Sequence, residues 1–566
     1  MERSFADMQT SKPKISKVDV LTDVPAVFAK TEISIETENI EGNVYDFSEV
    51  ALDMELADES GTVLRLPGFY YVPYAFKPTG EIIGPTGENG SWRFRFMPTR
   101  PGKWRFTVTL TINGQAAGTA CGEFSAVKSS EERGLIGIEP VHGRNFMFQN
   151  GEVYIPIGEN LCWPYPVKDH EKSARYINRI LRQGSPYGMN YVRLWNIYFA
   201  LSIQKKGCAP NDFSKGQYDA AQFDVIFDTL AETDVYASFV FFVHGMFSRT
   251  TNPHWHDSPY NQDNPFGYLK EPGDFYTDER AKHDARCFIR YLIARYGYSR
   301  NVMVWELFNE TDISEGNMDD KLVWHREMAG FVRAVDPYRH MVATSCAFAD
   351  RPLCRDDVFD FTYIHWYDYP SIDDFLDFQR ADWALKKRPS FYGEIGFSNF
   401  NPHIDEDLVS VHQTNWAGVM GGAAATAMTW FWNEFDSVDG YSDYAPLSAF
   451  AGDIPWTASD FGQLATGDLN VNNTQVKIIG YGGGAYAYLW LYDDNYKHQT
   501  KIITEFTEVS FTVPLKDGDY FIEWICPWSG KPVQTCAQTA TGGKLEITSP
   551  AWTRDLAVKI KKQSQN

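Results

Sequence analysis

Two short stretches hold the residues best suited to chemistry. Asn301–Glu310 reads N-V-M-V-W-E-L-F-N-E, and Ser390–Gly396 reads S-F-Y-G-E-I-G. Each opens on an apolar run, the pattern of a strand buried on both faces, as in a parallel sheet. The runs end in carboxylates, Glu310 directly after Asn309 and Glu394 directly after Gly393. A charged group at the end of a buried strand is costly unless it has a partner or a task. Two of them on two strands are the minimum equipment for breaking a glycosidic bond, one protonating the leaving oxygen and the other attacking the anomeric carbon. An ion pair would explain either glutamate alone, but the matching contexts favour a pair that acts together.

Other strand ends supply candidate partners. Arg193, in N-Y-V-R-L-W, is a cation on a buried strand, suited to holding Glu394 ionised or to pairing with another carboxylate. His244 follows the run Val235–Val243. Asn309 is placed to hydrogen-bond a sugar 2-hydroxyl. His365 and Tyr367, in I-H-W-Y, are two residues apart on one strand and point the same way. Tyr367 could donate to the nucleophile, and His365 could line the pocket near the acid/base. Trp430 and Trp432, in T-W-F-W, would share one face of a last strand, one flooring the sugar and the other packing in the core.

Arg193, His244, Asn309-Glu310, His365-x-Tyr367, Glu394 and the two tryptophans, in that order on the second, third, fourth, sixth, seventh and eighth strands, resemble the active-site set of the retaining glycoside hydrolases of clan A. The pattern is most like family 5, the cellulases and mannanases, and covers about residues 150–465. One departure is Thr311, where the family often carries proline after Asn-Glu. The resemblance implies a (β/α)8 barrel and double displacement, with Glu394 as nucleophile and Glu310 as acid/base. It calls for no cofactor and no metal. His254, His256 and Asp257, in P-H-W-H-D, could be offered as a metal site but lack the ligand spacing of known ones.

Strands and helices must alternate to bring these residues together. The expected strands are Val153–Gly158, Asn190–Trp195, Val235–Val243, the stretch ending at Glu310, Met341–Cys346, Phe361–His365, the stretch ending at Glu394, and Ala425–Trp432. The expected helices are Lys172–Gln183, Ala220–Glu232, Thr277–Tyr296, Lys321–Val335, Ile372–Leu385 and Leu408–Gly421. Period-two alternation dominates on both sides of this region. Trp104, Phe106, Val108, Leu110 and Ile112 alternate up to the hairpin signal Asn113-Gly114. Ala485–Tyr492, Val509–Val513, Tyr520–Ile525 and Leu556–Ile560 alternate near the C-terminus. The fold class is therefore α/β, a TIM barrel flanked by two β-sandwich domains. The expected division is a disordered 1–15, an immunoglobulin-like sandwich at 16–135, the barrel at 136–465 and a second sandwich at 466–566. The first sandwich resembles the immunoglobulin-like domain that precedes the barrel in some bacterial clan A enzymes.

Composition bounds the partners. The formal net charge of −22 argues against nucleic acid and anionic membranes, which need a basic surface. Seventeen Trp and 31 Tyr suit a carbohydrate partner, whose ring faces stack on aromatics, although sandwich cores also use them. Eight scattered cysteines without a C-x-x-C pair read as thiols in a reducing compartment. Met1–Lys14 has no apolar core of a signal peptide. The expected location is therefore cytoplasmic, or secreted with the signal removed. The oligomeric state is left open.

The function expected is a retaining β-glycosidase acting on gluco-, manno- or galacto-type linkages. The segment His244–Thr277 far exceeds the roughly 2–6 residues of ordinary βα loops. Its His254, Trp255, His256, Tyr260, Asn261, Asn264 and Phe266 suggest a lid over a pocket closed at one end, and hence exo action. The alternatives are an endo-acting β-glycanase, a transglycosylase on the same barrel, or a carbohydrate-binding protein without catalysis.

Overall fold

The structure, a computed structural model, describes residues 12–77, 82–131, 133–165, 173–348, 352–399, 402–404 and 406–563. Its central part is α/β. Parallel pairing runs from Gly158–Asn160 to Tyr191–Trp195, then to Tyr236–Val243, Val302–Asn309 and Met341–Ala343. It resumes at Ser345–Cys346 and continues to Thr362–Tyr367 and Ser390–Gly396. Thr429 then bridges Ile395 on one side and Glu159 on the other, so the pairings form a cycle. The helices Ser173–Gly184, Gln217–Thr233, Glu279–Tyr296, Met318–Val335, Ile372–Lys386 and Val409–Gly421 lie between these strands in sequence. The middle strands are buried on both faces, which is why they read as unbroken apolar runs.

Three expectations need correction here. The first parallel strand is Gly158–Asn160, because Val153–Tyr154 belongs to a small antiparallel sheet with Phe146–Phe148 and Ile136–Ile138. The eighth position is not a strand over Ala425–Trp432. Only Thr429 makes ladder bridges, and Trp432 begins the helix Trp432–Ser437, so Trp430 and Trp432 do not share a strand face. Lys14–Val20 is a strand paired with Thr31–Glu38, so order begins inside the segment expected to be disordered. The start of the first helix at Lys172 lies outside the described residues.

The N-terminal strands form two four-stranded antiparallel sheets around one core containing Trp92, Phe94, Trp104, Phe106 and Leu110. Alternation on Gly102–Ile112 puts its apolar residues inward, as its pattern requires. Arg95 of this sandwich reaches the α/β part, donating to Asp224 Oδ1 at 2.6 Å. Arg295 grips the same carboxylate at 2.9 and 2.6 Å. The C-terminal part holds a six-stranded sheet that begins at Gly462–Ala465 and encloses a separate core around Leu489, Trp524 and Val558. Its seam with the α/β part is largely aromatic, with Trp416 stacked on Trp490 and Phe450 edge-on to Tyr488, and it encloses one buried polar cluster. Buried His412 lies between Asp443, at 2.6 Å from Nδ1, and Asp555, at 2.8 Å from Nε2, with the Trp528 ring stacked 3.8 Å away. Among the described residues no cysteine forms a disulfide, and no helix is long and apolar enough to cross a membrane.

Candidate active site

Glu310 and Glu394 sit at the C-terminal ends of the fourth and seventh parallel strands, both buried. Glu310 takes a left-handed backbone, φ 49°, a conformation that strains a residue with a Cβ and that clusters at functional sites. Its N–H donates to Ser345 Oγ at 3.1 Å, which fixes the turn. His365 Nδ1 lies 2.8 Å from Glu310 Oε1 and 3.3 Å from Glu394 Oε2, one nitrogen between two carboxyls. An oxygen of each glutamate and a nitrogen of His365 all lie within 4.8 Å of one another.

Arg193 organises the floor. Its Nη1 donates to Glu394 Oε1 at 2.6 Å, and Tyr367 O–H donates to Glu394 Oε2 at 2.6 Å. Arg193 also forks onto Glu306, Nε to Oε2 at 2.8 Å and Nη2 to Oε1 at 2.6 Å. Both alternatives read for Arg193 therefore hold at once. Its Nη2 donates further to Asn309 Oδ1 at 2.6 Å. That bond assigns the Asn309 amide, whose Nδ2 then donates to His244 Nδ1 at 3.1 Å. The His244 hydrogen consequently sits on Nε2, which has no partner among the described residues, and His244 lines the cavity. Asn309 itself is fully buried, its oxygen on Arg193 and one amide hydrogen on His244.

Burial raises the pKa of both carboxyls above the ordinary range. At Glu394 the pull of His365 and Arg193 and the hydrogen bond from Tyr367 oppose that rise, and the Glu310 charge adds to it. At Glu310 the pull of His244 and Arg193 opposes the rise, and the charges of Asp312 and Glu306 add to it. Burial pushes His365 down to about 4, and also lowers His244, so both rings are neutral near pH 7.

The two glutamates open into a cavity of about 700 Å³. Trp430 lines it beside Trp163 and Trp195, while Trp432 stands behind, its ring edge-on to Trp163 at 4.8 Å and buried. The long segment after the third strand is folded rather than loose. It contains the turns His244–Phe247, Trp255–Asp257 and Pro272–Tyr276, and Phe247 packs on Phe275 at 4.1 Å. Of the seven lid residues expected there, His254 alone lines the cavity. Trp255, Tyr260, Asn261 and Asn264 turn into the segment's own packing, and Phe266 is exposed.

Sequence reasoning missed Glu306, a carboxylate inside an apolar run whose burial demands a cation, which Arg193 supplies. Trp195 was missed as a cavity wall. Asn160 acts as a clip. Its Nδ2 bonds the carbonyls of Gly393, Met428 and Thr429, and its Oδ1 accepts from Arg193. His254, His256 and Asp257 do lie together, with His256 exposed.

Residues 25–111 match a family described as a domain of unknown function, DUF5060. A mannan endo-1,4-beta-mannosidase 1 of Arabidopsis thaliana is 24% identical over 216 residues, 34% of this chain and 47% of that protein. A probable mannan endo-1,4-beta-mannosidase A of Aspergillus clavatus is 27% identical over 106 residues, 18% of this chain and 29% of its own. The chain thus spans less than half the length of these curated relatives. Among solved structures, a Bacteroides vulgatus protein provisionally named a glycoside hydrolase superposes with a TM-score of 0.66, at 16% identity over 96% of this chain and 100% of that one. A family 5 glycoside hydrolase of the same organism gives 0.50, at 12% identity over 76% and 94%. The chain shares their fold.

Proposed function

We propose that this chain, which resembles the family 5-like glycoside hydrolases of clan A, is a retaining β-glycosidase on a (β/α)8 barrel. The observation that carries the reading is the facing pair Glu310 and Glu394, with oxygens within 4.8 Å across His365. Retaining enzymes hold their carboxyl groups about 5–5.5 Å apart, and inverting ones leave about 6.5–9.5 Å for a water. The cycle of parallel pairings supports the barrel, because eight positions are met in order and inward groups at the strand ends converge. The N-terminal sandwich, whose first strand is Lys14–Val20, and the C-terminal sheet that begins at Gly462–Ala465 brace the catalytic unit between them.

In this mechanism Arg193 and Tyr367 hold Glu394 ionised and aimed. It attacks the anomeric carbon while Glu310 gives its proton to the leaving oxygen. Glu310, now a base, then activates the water that releases the sugar. Trp430 floors the ring, and the His244 Nε2–H donates to a sugar hydroxyl. Asn309 positions Arg193 and His244. Among the described residues no Lys or Arg lines the cavity, which fits a neutral sugar. β-Mannosides are the first substrates to try, with gluco- and galacto-configured ones beside them. Walls from the segments after the second, third, seventh and eighth strands suit short oligosaccharides and exo action.

Proton NMR of the first product decides the mechanism, with the β-anomer expected; an α-anomer at early times removes the assignment. Viscometry on a β-mannan decides the mode. Slow loss of viscosity with a single small product is expected, and rapid thinning with mixed lengths means an endo cleft.

The pH profile follows from the charges. Both carboxyls have raised values, so the pair shares one proton over a window above the ordinary carboxylate range. Activity falls as pH rises through the upper macroscopic value, where Glu310 loses its proton, and as pH falls through the lower one. Glu310→Gln, assayed on an aryl glycoside that needs no acid, should lose the alkaline limb and keep the acid one. An unchanged alkaline limb would reassign the proton.

A further inference from the structure

We infer that His403 is a substrate-binding residue, held by Glu434 and backed by Phe431 so that its free ring nitrogen accepts a hydrogen bond from a hydroxyl of the glycone. The inference rests on the glycosidase reading of the same cavity. His403 and Phe431 line that cavity, and Glu434 does not. His403 Nδ1 lies 2.7 Å from Glu434 Oε1. A carboxylate offers only acceptors, so Nδ1 carries the hydrogen, and in that tautomer Nε2 offers a lone pair. Glu434 Oε2 accepts from the Ile404 N–H at 3.1 Å, fixing backbone as well as ring. The Phe431 ring lies parallel to the imidazole, 4.2 Å away with 2° between planes. The side chain nonetheless remains 35% exposed.

This arrangement is built at both ends. The segment that leaves Glu394 is also tied to Asp368, which accepts from Asn399 Nδ2 at 2.7 Å. Two carboxylates, one after the sixth strand and one in the helix Trp432–Ser437, therefore hold Asn399 and His403. An oriented imidazole loses little entropy when it binds. Its position sets which part of the substrate it meets. His403 follows the seventh strand and stacks on Phe431, the residue after Trp430, across the cycle from the fourth strand that carries Glu310. The leaving group lies toward Glu310, so His403 meets the glycone. With no Lys or Arg in the lining among the described residues, the partner it suits is a hydroxyl and not a carboxylate.

Steady-state kinetics of three variants on aryl β-monosides and β-disaccharides test this. His403→Phe keeps the ring stack and removes the nitrogens. It should lose about tenfold in kcat/KM, the scale of one hydrogen bond, expressed in KM rather than in kcat. Glu434→Ala should lose as much. Glu434→Gln, whose amide oxygen still accepts from Nδ1, should recover most of it. Wild-type kcat/KM in His403→Phe, or a loss wholly in kcat, overturns the role. A wild type that turns over no glycoside would instead overturn the glycosidase reading. In that case calorimetry with manno- and cello-oligosaccharides still decides: weaker binding by His403→Phe sustains the inference, and equal or absent binding ends it.

Discussion

Replacing Glu394 by alanine should cut turnover by about 10⁵–10⁶-fold, the scale on which loss of a covalent nucleophile acts. The fold should survive, because Arg193 keeps its bidentate partner Glu306 and its bond to Asn309. The space left beside Arg193 and Tyr367 admits a small anion to the face that the carboxylate attacked. Azide added to Glu394→Ala should therefore restore turnover and yield the α-glycosyl azide, of inverted configuration. In Glu310→Ala the nucleophile remains, so azide should intercept the glycosyl-enzyme and give the β-azide. Losing the acid/base alone should cost less, about 10²–10⁴-fold. Swapped azide anomers would mean that the two roles are reversed. A Glu394→Ala protein that keeps more than about a hundredth of its activity would remove Glu394 from the chemistry.

The second large effect is on stability. Arg193→Met leaves two buried carboxyls, Glu306 and Glu394, without their cation. Breaking a buried ion pair from one side costs about 3–5 kcal/mol, because the remaining charge is desolvated and unpaired. At about 2–4 °C per kcal/mol the melting temperature should fall by roughly 10 °C. Lysine should not rescue it, since one ammonium cannot span Glu306, Glu394, Asn160 and Asn309 as the guanidinium does. The double variant Arg193→Met, Glu306→Leu should recover much of the loss, because the penalty lies in the stranded charge and not in a missing attraction. Differential scanning calorimetry checks both. A single variant melting within about 2 °C of wild type would mean that the pair contributes little.

How much of this was legible in the sequence depended on the kind of signal. Val302–Asn309 and Ser390–Gly396 announce themselves, because strands buried on both faces must be apolar throughout and their polar ends stand out. Glu306 hid inside such a run. Only the count of donors on Arg193, which serves two carboxylates, makes it necessary. The eighth position misled because Ala423–Met428 is apolar yet pairs loosely: Thr426 N–H goes to Pro156 O and Met428 N–H to Tyr392 O, with no continuous ladder. Trp432 was misplaced for the same reason, since a helix starts where a strand was expected. His403 lies in a connection with no periodicity, and its partner Glu434 is distant in sequence, so nothing local marks either. The lid residues show the limit of composition: their density was real, but most were needed to pack the segment on itself.

The seam at His412 carries a consequence for conditions of use. Burial alone would push this imidazole down, but Asp443 and Asp555 outweigh it and hold it at about 10. In the unfolded chain its value would return to about 6.5. The stability it confers is thus complete below about 6.5 and drains away as pH climbs toward about 10. The proton on His412 works as a removable rivet between helix Val409–Gly421 and the last sheet. In alkaline media that rivet comes out whatever the state of the two glutamates, so tolerance of high pH depends on this contact as well as on the chemistry.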